Sequence, residues 1–84
     1  MAVMKMTADE IKVLRKVLKM SEGEFADRIE LKDREAIKLL ESGAIKPTLH
    51  MNKLLIRLLG MGSARSPKLK KMFEEIKERS QSRW

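Results

Sequence analysis

At 84 residues with 43% hydrophobic content, the chain has the size of one small domain, in which a single core is marginal by itself and an oligomer would help bury apolar surface. The absence of cysteine excludes disulfides and thiolate metal sites, and no run approaches the roughly 20 apolar residues needed to span a bilayer. A net charge of +7, from 19 Lys and Arg against 12 Asp and Glu, favours polyanions such as nucleic acid, or an anionic membrane surface. No secretory signal pattern opens the chain, so the expected compartment is the cytoplasm.

Residues 1–6, MAVMKM, form an arm that is either disordered or extended, with Lys5 solvated or brushing a phosphate. Thr7 and Glu10 then make a capping-box pattern, and Ile11, Leu14, Val17 and Leu18 give the first helix an apolar stripe. Its opposite band, Lys12, Arg15, Lys16 and Lys19, is either solvated surface or a phosphate-facing stripe.

The stretch Met20 to Pro47 organises the rest. Ser21 with Glu24 repeats the capping box, and Phe25, Ala26 and Ile29 follow at helical spacing, so a helix of about two turns begins at Ser21. Glu30-Leu31-Lys32 interrupts the periodicity, Asp33 is a good N-cap, and Ile37 and Leu40 restart it before Gly43 supplies a stop. On a wheel, Ala36, Ile37 and Leu40 dock this helix, while Arg34, Glu35 and Lys38 lie on the free side. Arg34 and Lys38, one turn apart, suit adjacent base edges or a base edge and a phosphate, and Arg pairs bidentately with guanine.

Thr48 caps a fourth helix expected to run to Gly60. Met51, Leu54, Leu55, Leu58 and Leu59 make its main apolar face, with Leu49 and Ile56 nearly opposite, so it is expected to lie between layers. His50, the single histidine, reads as a surface residue. Residues 61–67 read as a linker between a 7–60 domain and a C-terminal helix over 68–84, launched by Ser66 and Pro67. Leu69, Met72, Phe73 and Ile76 give that helix a stripe for core packing in cis, for dimerisation or for another protein, with Leu49 and Ile56 on the same candidate interface. Lys70 with Glu74, Lys71 with Glu75 and Glu75 with Arg79 are spaced to pair along it. Trp84 is either a mobile end or an anchor.

Charge follows this division. Residues 7–62 hold 11 basic and 9 acidic side chains and residues 63–84 hold 7 and 3, so local placement rather than bulk charge must carry recognition in the first part.

From about Thr7 to Gly60 the chain resembles the Cro/repressor-like (XRE-type) helix-turn-helix family of small phage and bacterial transcriptional regulators. Family members look like Leu-Ser-x-x-x-Phe-Ala-x-x-Leu through the first motif helix and Trp-Glu-x-Gly-x-x-x-Pro at the end of the recognition helix. This chain has Met20-Ser21-Glu22-Gly23-Glu24-Phe25-Ala26-Asp27-Arg28-Ile29, then Leu40-Glu41-Ser42-Gly43-Ala44-Ile45-Lys46-Pro47. It departs at Glu30, where the family has a turn glycine, at Leu40 in place of the aromatic, at Glu22 in place of a frequent Gln, and by one extra residue before Ile37.

The resemblance implies an all-α, five-helix helix-turn-helix domain with a C-terminal amphipathic helix, acting as a homodimer on a double-stranded DNA operator. The helix from Asp33 to Ser42 would enter the major groove with Arg34, Glu35 and Lys38 reading bases. Ser21, Lys32, Ser42 and Lys46 would touch phosphate and fix register. The implied role is autorepression of a phage or mobile-element operon of the antitoxin or anti-CRISPR-associated type, through an inverted repeat. The second reading is an interaction module whose last helix binds a partner such as a toxin, a reading kept open by Glu22, Glu30, Asp33 and Glu35. Membrane binding fits less well, because the final stripe is short and interleaved with glutamates. No cofactor site, phosphate-binding glycine loop or nucleophile with a matching base is visible, so no enzyme is expected.

Overall fold

The computed structural model describes residues 5–81, with side chains as far as Arg79, and is all-helical among them. Five helices follow in order: α1 (Ala8–Val17), α2 (Glu22–Arg28), α3 (Glu35–Ser42), α4 (Leu49–Ser63) and α5 (Pro67–Gln81). No helix among the described residues is long and apolar enough to cross a membrane. The fold measures 36 × 26 × 18 Å, so its short dimension is about two helix diameters.

Local chemistry sets the starts and stops. Both capping boxes form: Thr7 Oγ1 accepts from the Glu10 N–H and Ser21 Oγ from the Glu24 N–H, while each glutamate carboxylate accepts from the capping residue's own N–H. Thr48 Oγ1 accepts from the Met51 N–H at 3.1 Å and opens α4. α3 ends at Gly43, whose φ of +83° is the left-handed conformation that glycine adopts without penalty.

One core serves all five helices. Ile11 and Leu14 of α1, Phe25 and Ala26 of α2, Ile37 and Leu40 of α3, Leu55, Leu58 and Leu59 of α4, and Leu69, Met72 and Ile76 of α5 are buried together. α4 and α5 share the most extensive contact; α3 packs on α1 and α2, and α5 also touches α1. At the α4–α5 corner side chains press on the α4 backbone, since a Cβ on Gly62 would stand 2.6 Å from Leu69 Cδ1 and 3.1 Å from Leu18 Cδ2.

Several expectations are revised. α4 continues through residues 61–63, leaving only residues 64–66 between it and α5, so the glycines at 60 and 62 do not mark a linker. The reason is tertiary: Gly62 is buried where α5 crosses, and the loss of helix propensity at glycine is outweighed by that close packing. The proposed boundary between a 7–60 domain and a 68–84 helix therefore disappears into the shared core. Leu69, Met72 and Ile76 are buried in cis, Phe73 and Ile56 are half-buried against the core, and Leu49 is exposed.

Nor is the whole N-terminal arm loose. Met6 is 5% exposed within the core, and its N–H donates to Oδ1 of buried Asn52 at 3.4 Å. The Lys5 carbonyl accepts from Arg79 Nη2 at 2.8 Å. Residues 1–4 and Trp84 lie outside the described residues. Lys70 and Lys71 form no ion pair with Glu74 or Glu75 among the described residues; Arg79, which feels the charge of Glu75, also reaches Glu10, at 2.8 and 3.1 Å, and Lys77 sits 5.2 Å from the Phe73 ring centre.

Candidate nucleic-acid interface

α3 is short, and two kinds of contact position it. Ile37 and Leu40 seat it in the core, and Glu41 beside them forms a fork with Arg15 of α1: Nε donates to Oε2 at 2.6 Å and Nη2 to Oε1 at 3.1 Å. Arg15 Nη1 also donates to the Met20 carbonyl at 3.2 Å, so one guanidinium joins α1, the α1–α2 turn and the last turn of α3. The two side chains are only 16% and 8% exposed, and the hydrogen bonds to Glu41 push the Arg15 guanidinium above its ordinary pKa. Arg15 thus leaves the solvated band expected for α1, whereas Lys12, Lys16 and Lys19 stay exposed.

The connection from α2 to α3 is also shaped by charge and backbone. Glu30 has φ +59°, the left-handed conformation that a turn glycine would supply, and its carboxylate lies 3.1 Å from Nε2 of His50 at the start of α4. The expected start of α3 at Asp33 moves two residues on. The Asp33 carboxylate accepts from the Glu35 N–H at 2.9 Å, and Arg34 occupies the position before the first helical residue. Asp33 therefore organises the start of the helix without lying next to it.

The residues singled out for DNA contact fall into two groups. Arg34, Glu35, Lys38, Lys32 and Lys46 are exposed, and none of their side chains makes a hydrogen bond or ion pair among the described residues. Ser21 and Ser42 are exposed but engaged: the Ser21 hydroxyl caps α2, and the Ser42 hydroxyl donates to the Leu39 carbonyl at 3.1 Å and accepts from the Ala44 N–H at 3.4 Å. Lys46 shares the rim of a groove of about 350 Å³ with Lys5, Ile45 and Pro47. Glu22, whose carboxylate would repel phosphate, lies within the field of Arg15.

Two features escaped the sequence reading. Leu39, on the free side of α3, is 45% exposed, and Ile45 after it is 38% exposed, so this surface is more apolar than the wheel suggested. Asn52 is buried with its amide donating to the Thr48 carbonyl and its oxygen accepting from Met6, a role with no periodic signature. Compared with family models, curated proteins and solved structures, the chain matches none.

Proposed function

We propose that the protein is a sequence-specific DNA-binding regulator in which α2 and α3 act as a helix-turn-helix of the Cro/repressor-like kind, the turn lengthened and closed by Glu30 in the left-handed conformation. The observation that carries this reading is the way α3 is fixed. Its inward residues and Glu41 are held in the core, while Arg34, Glu35 and Lys38 stand exposed with no partner among the described residues. Charged side chains kept free on a short, rigidly seated helix suit base edges in a major groove. Lys32 and Lys46 flank them and would take phosphate; Ser21 and Ser42 would do so only through lone pairs or hydroxyl protons left by their helix-end bonds. A homodimer on an inverted repeat, repressing its own operon, is the biological form of this reading.

The test is selection of tight binders from a random duplex library with the full chain. An enriched inverted repeat with half-sites about one DNA turn apart is the expected result. Arg34→Ala should then cost about 1–3 kcal/mol of binding and relax preference at one base pair. No enriched sequence, or an Arg34→Ala protein with unchanged preference, would sink the reading.

One observation favours the alternative, a protein-interaction module. Residues 21–42 carry seven acidic and four basic side chains, and exposed Leu39 adds an apolar contact to that surface. An acidic, partly apolar face suits a basic protein partner better than phosphate. Retention of a partner by an Arg34→Ala protein and its loss on Leu39→Asp would favour this second reading.

A further inference from the structure

The charge of this protein sits largely away from α3. Residues 43–73 contain seven basic side chains and no acidic one, in contrast to the acid-rich residues 21–42. This acid-free stretch covers α4 and the first half of α5. Its densest part, Arg65, Lys68, Lys70 and Lys71, lies at the corner between them. The contact of Gly62 with Leu18 and Leu69 brings the end of α1 to the same corner, and with it Lys19. All five cations are exposed, and their side chains form no ion pair among the described residues.

Within the chain this arrangement is unfavourable. α1 and α2 open with acidic residues, which complement the positive end of a helix dipole, whereas the first turn of α5 has none and is surrounded by lysines and an arginine. Like charges at that end oppose both the dipole and one another, and no acidic side chain of α4 offsets them. Glu74 lines the same groove as Arg65 and Lys70 but among the described residues forms no ion pair with either, so the excess of positive charge is offset only in part within the fold, as on a surface shaped by a partner.

We propose that this corner, formed by Lys19, Arg65, Lys68, Lys70 and Lys71, docks on the phosphate backbone of a nucleic acid without regard to sequence. A linear polyanion meets several spaced cations at once and releases its counterions as they bind. A lipid surface fits less well, because the apolar stripe of α5 is used in the core through Leu69, Met72 and Ile76 and is not available for insertion. The inference does not depend on base reading by α3: the corner would bind backbone even if α3 reads nothing.

The experiment compares two full-length variants with the same change in net charge. One carries Arg65→Gln, Lys68→Gln, Lys70→Gln and Lys71→Gln; the other, a control, carries Lys12→Gln, Arg28→Gln, Lys53→Gln and Arg57→Gln, all exposed and none on α3 or at the corner. Each is titrated onto duplex DNA of random sequence over a series of salt concentrations, after circular dichroism has shown it to be folded. The corner variant is expected to lose about tenfold or more in affinity at low salt, and to flatten the slope of log affinity against log salt by about 2–4, at roughly 0.9 per phosphate contact. The control variant should keep the slope within about 1 of the parent. Equal losses in the two variants would mean that only net charge matters, and an unchanged corner variant would mean that the patch is idle; either overturns the proposal. Unchanged DNA binding with lost binding to vesicles containing phosphatidylserine would reassign the patch to a membrane and overturn it as well. Should the fourfold variant not fold, Arg65→Gln with Lys68→Gln must still lower the slope by about 1–2, and failure to do so is equally decisive.

Discussion

α3 and α5 both pack against α1, but they are secured by different physics. α5 is long and buries Leu69, Met72 and Ile76, and its ion pair with α1, Arg79 with Glu10, lies half in solvent. α3 is half its length, buries only Ile37 and Leu40, and relies on a nearly enclosed pair, Arg15 with Glu41. A short helix has too little apolar area to define its own position, so a directional, two-pronged ion pair does so. The long helix needs no such device. Under the proposed function, the helix that would meet DNA is thus oriented by an ion pair more than by buried area.

The largest test of this contrast is Glu41→Ala. It leaves the largely enclosed Arg15 guanidinium with only the Met20 carbonyl as partner and should destabilise the fold by about 2–4 kcal/mol in urea unfolding. Replacing both partners, Arg15→Met with Glu41→Leu, should recover most of that loss, because desolvation offsets much of the attraction within the pair. If the double variant is as unstable as the single, the pair is a source of net stability rather than of position.

Next in size is Gly62→Ala, which tests the area-based side. The added methyl meets Leu69 at the tightest contact of the corner, so a loss of about 1–3 kcal/mol is expected despite the better helix propensity of alanine. A gain in stability would show that Leu69 moves aside freely. Smaller still, and of opposite sign, Glu30→Gly should raise stability by about 0.5–1 kcal/mol. The glycine relieves a left-handed backbone at residue 30 and forfeits only the exposed contact with His50.

The finest distinction comes from acid. Burial alone would raise the Glu10 carboxyl, but hydrogen bonds from Arg79 and from Thr7 outweigh it and hold the group below its ordinary value of 4.5. Because the folded pKa is the lower one, the stabilisation from Glu10 is complete above about 4.5 and is lost as pH falls through the depressed folded value. An Arg79→Met protein should therefore lose less stability than the parent between pH 5 and pH 3, read as urea midpoints, and an equal fall would remove Glu10 from the acid response.

Much of the helical order was legible because its signals are local. Capping residues and apolar spacing placed the starts of α1, α2 and α4, and Gly43 placed the end of α3. What could not be read depends on distance in the sequence. Arg15 looked like one more cation in a solvated band until Glu41, 26 positions away, was brought to it. Gly60 and Gly62 looked like linker residues because their helix propensity is poor, and only the crossing of α5 shows why a glycine is wanted inside a helix there. Glu30 is an intermediate case: the missing turn glycine was visible, but not that a glutamate would adopt the same backbone. On the candidate surface, the exposure of Arg34, Glu35 and Lys38 follows the wheel, whereas the apolar Leu39 beside them does not.

The contact of Arg79 with Lys5 and Glu10 spans 74 and 69 positions, the longest reach of any hydrogen bond described in the fold. Such a contact ties two segments that are remote in sequence. The seating of α5 therefore depends on residues at and just before the start of α1, so that a change at Lys5, Met6 or Glu10 should be felt in the packing of the last helix rather than only in its own neighbourhood.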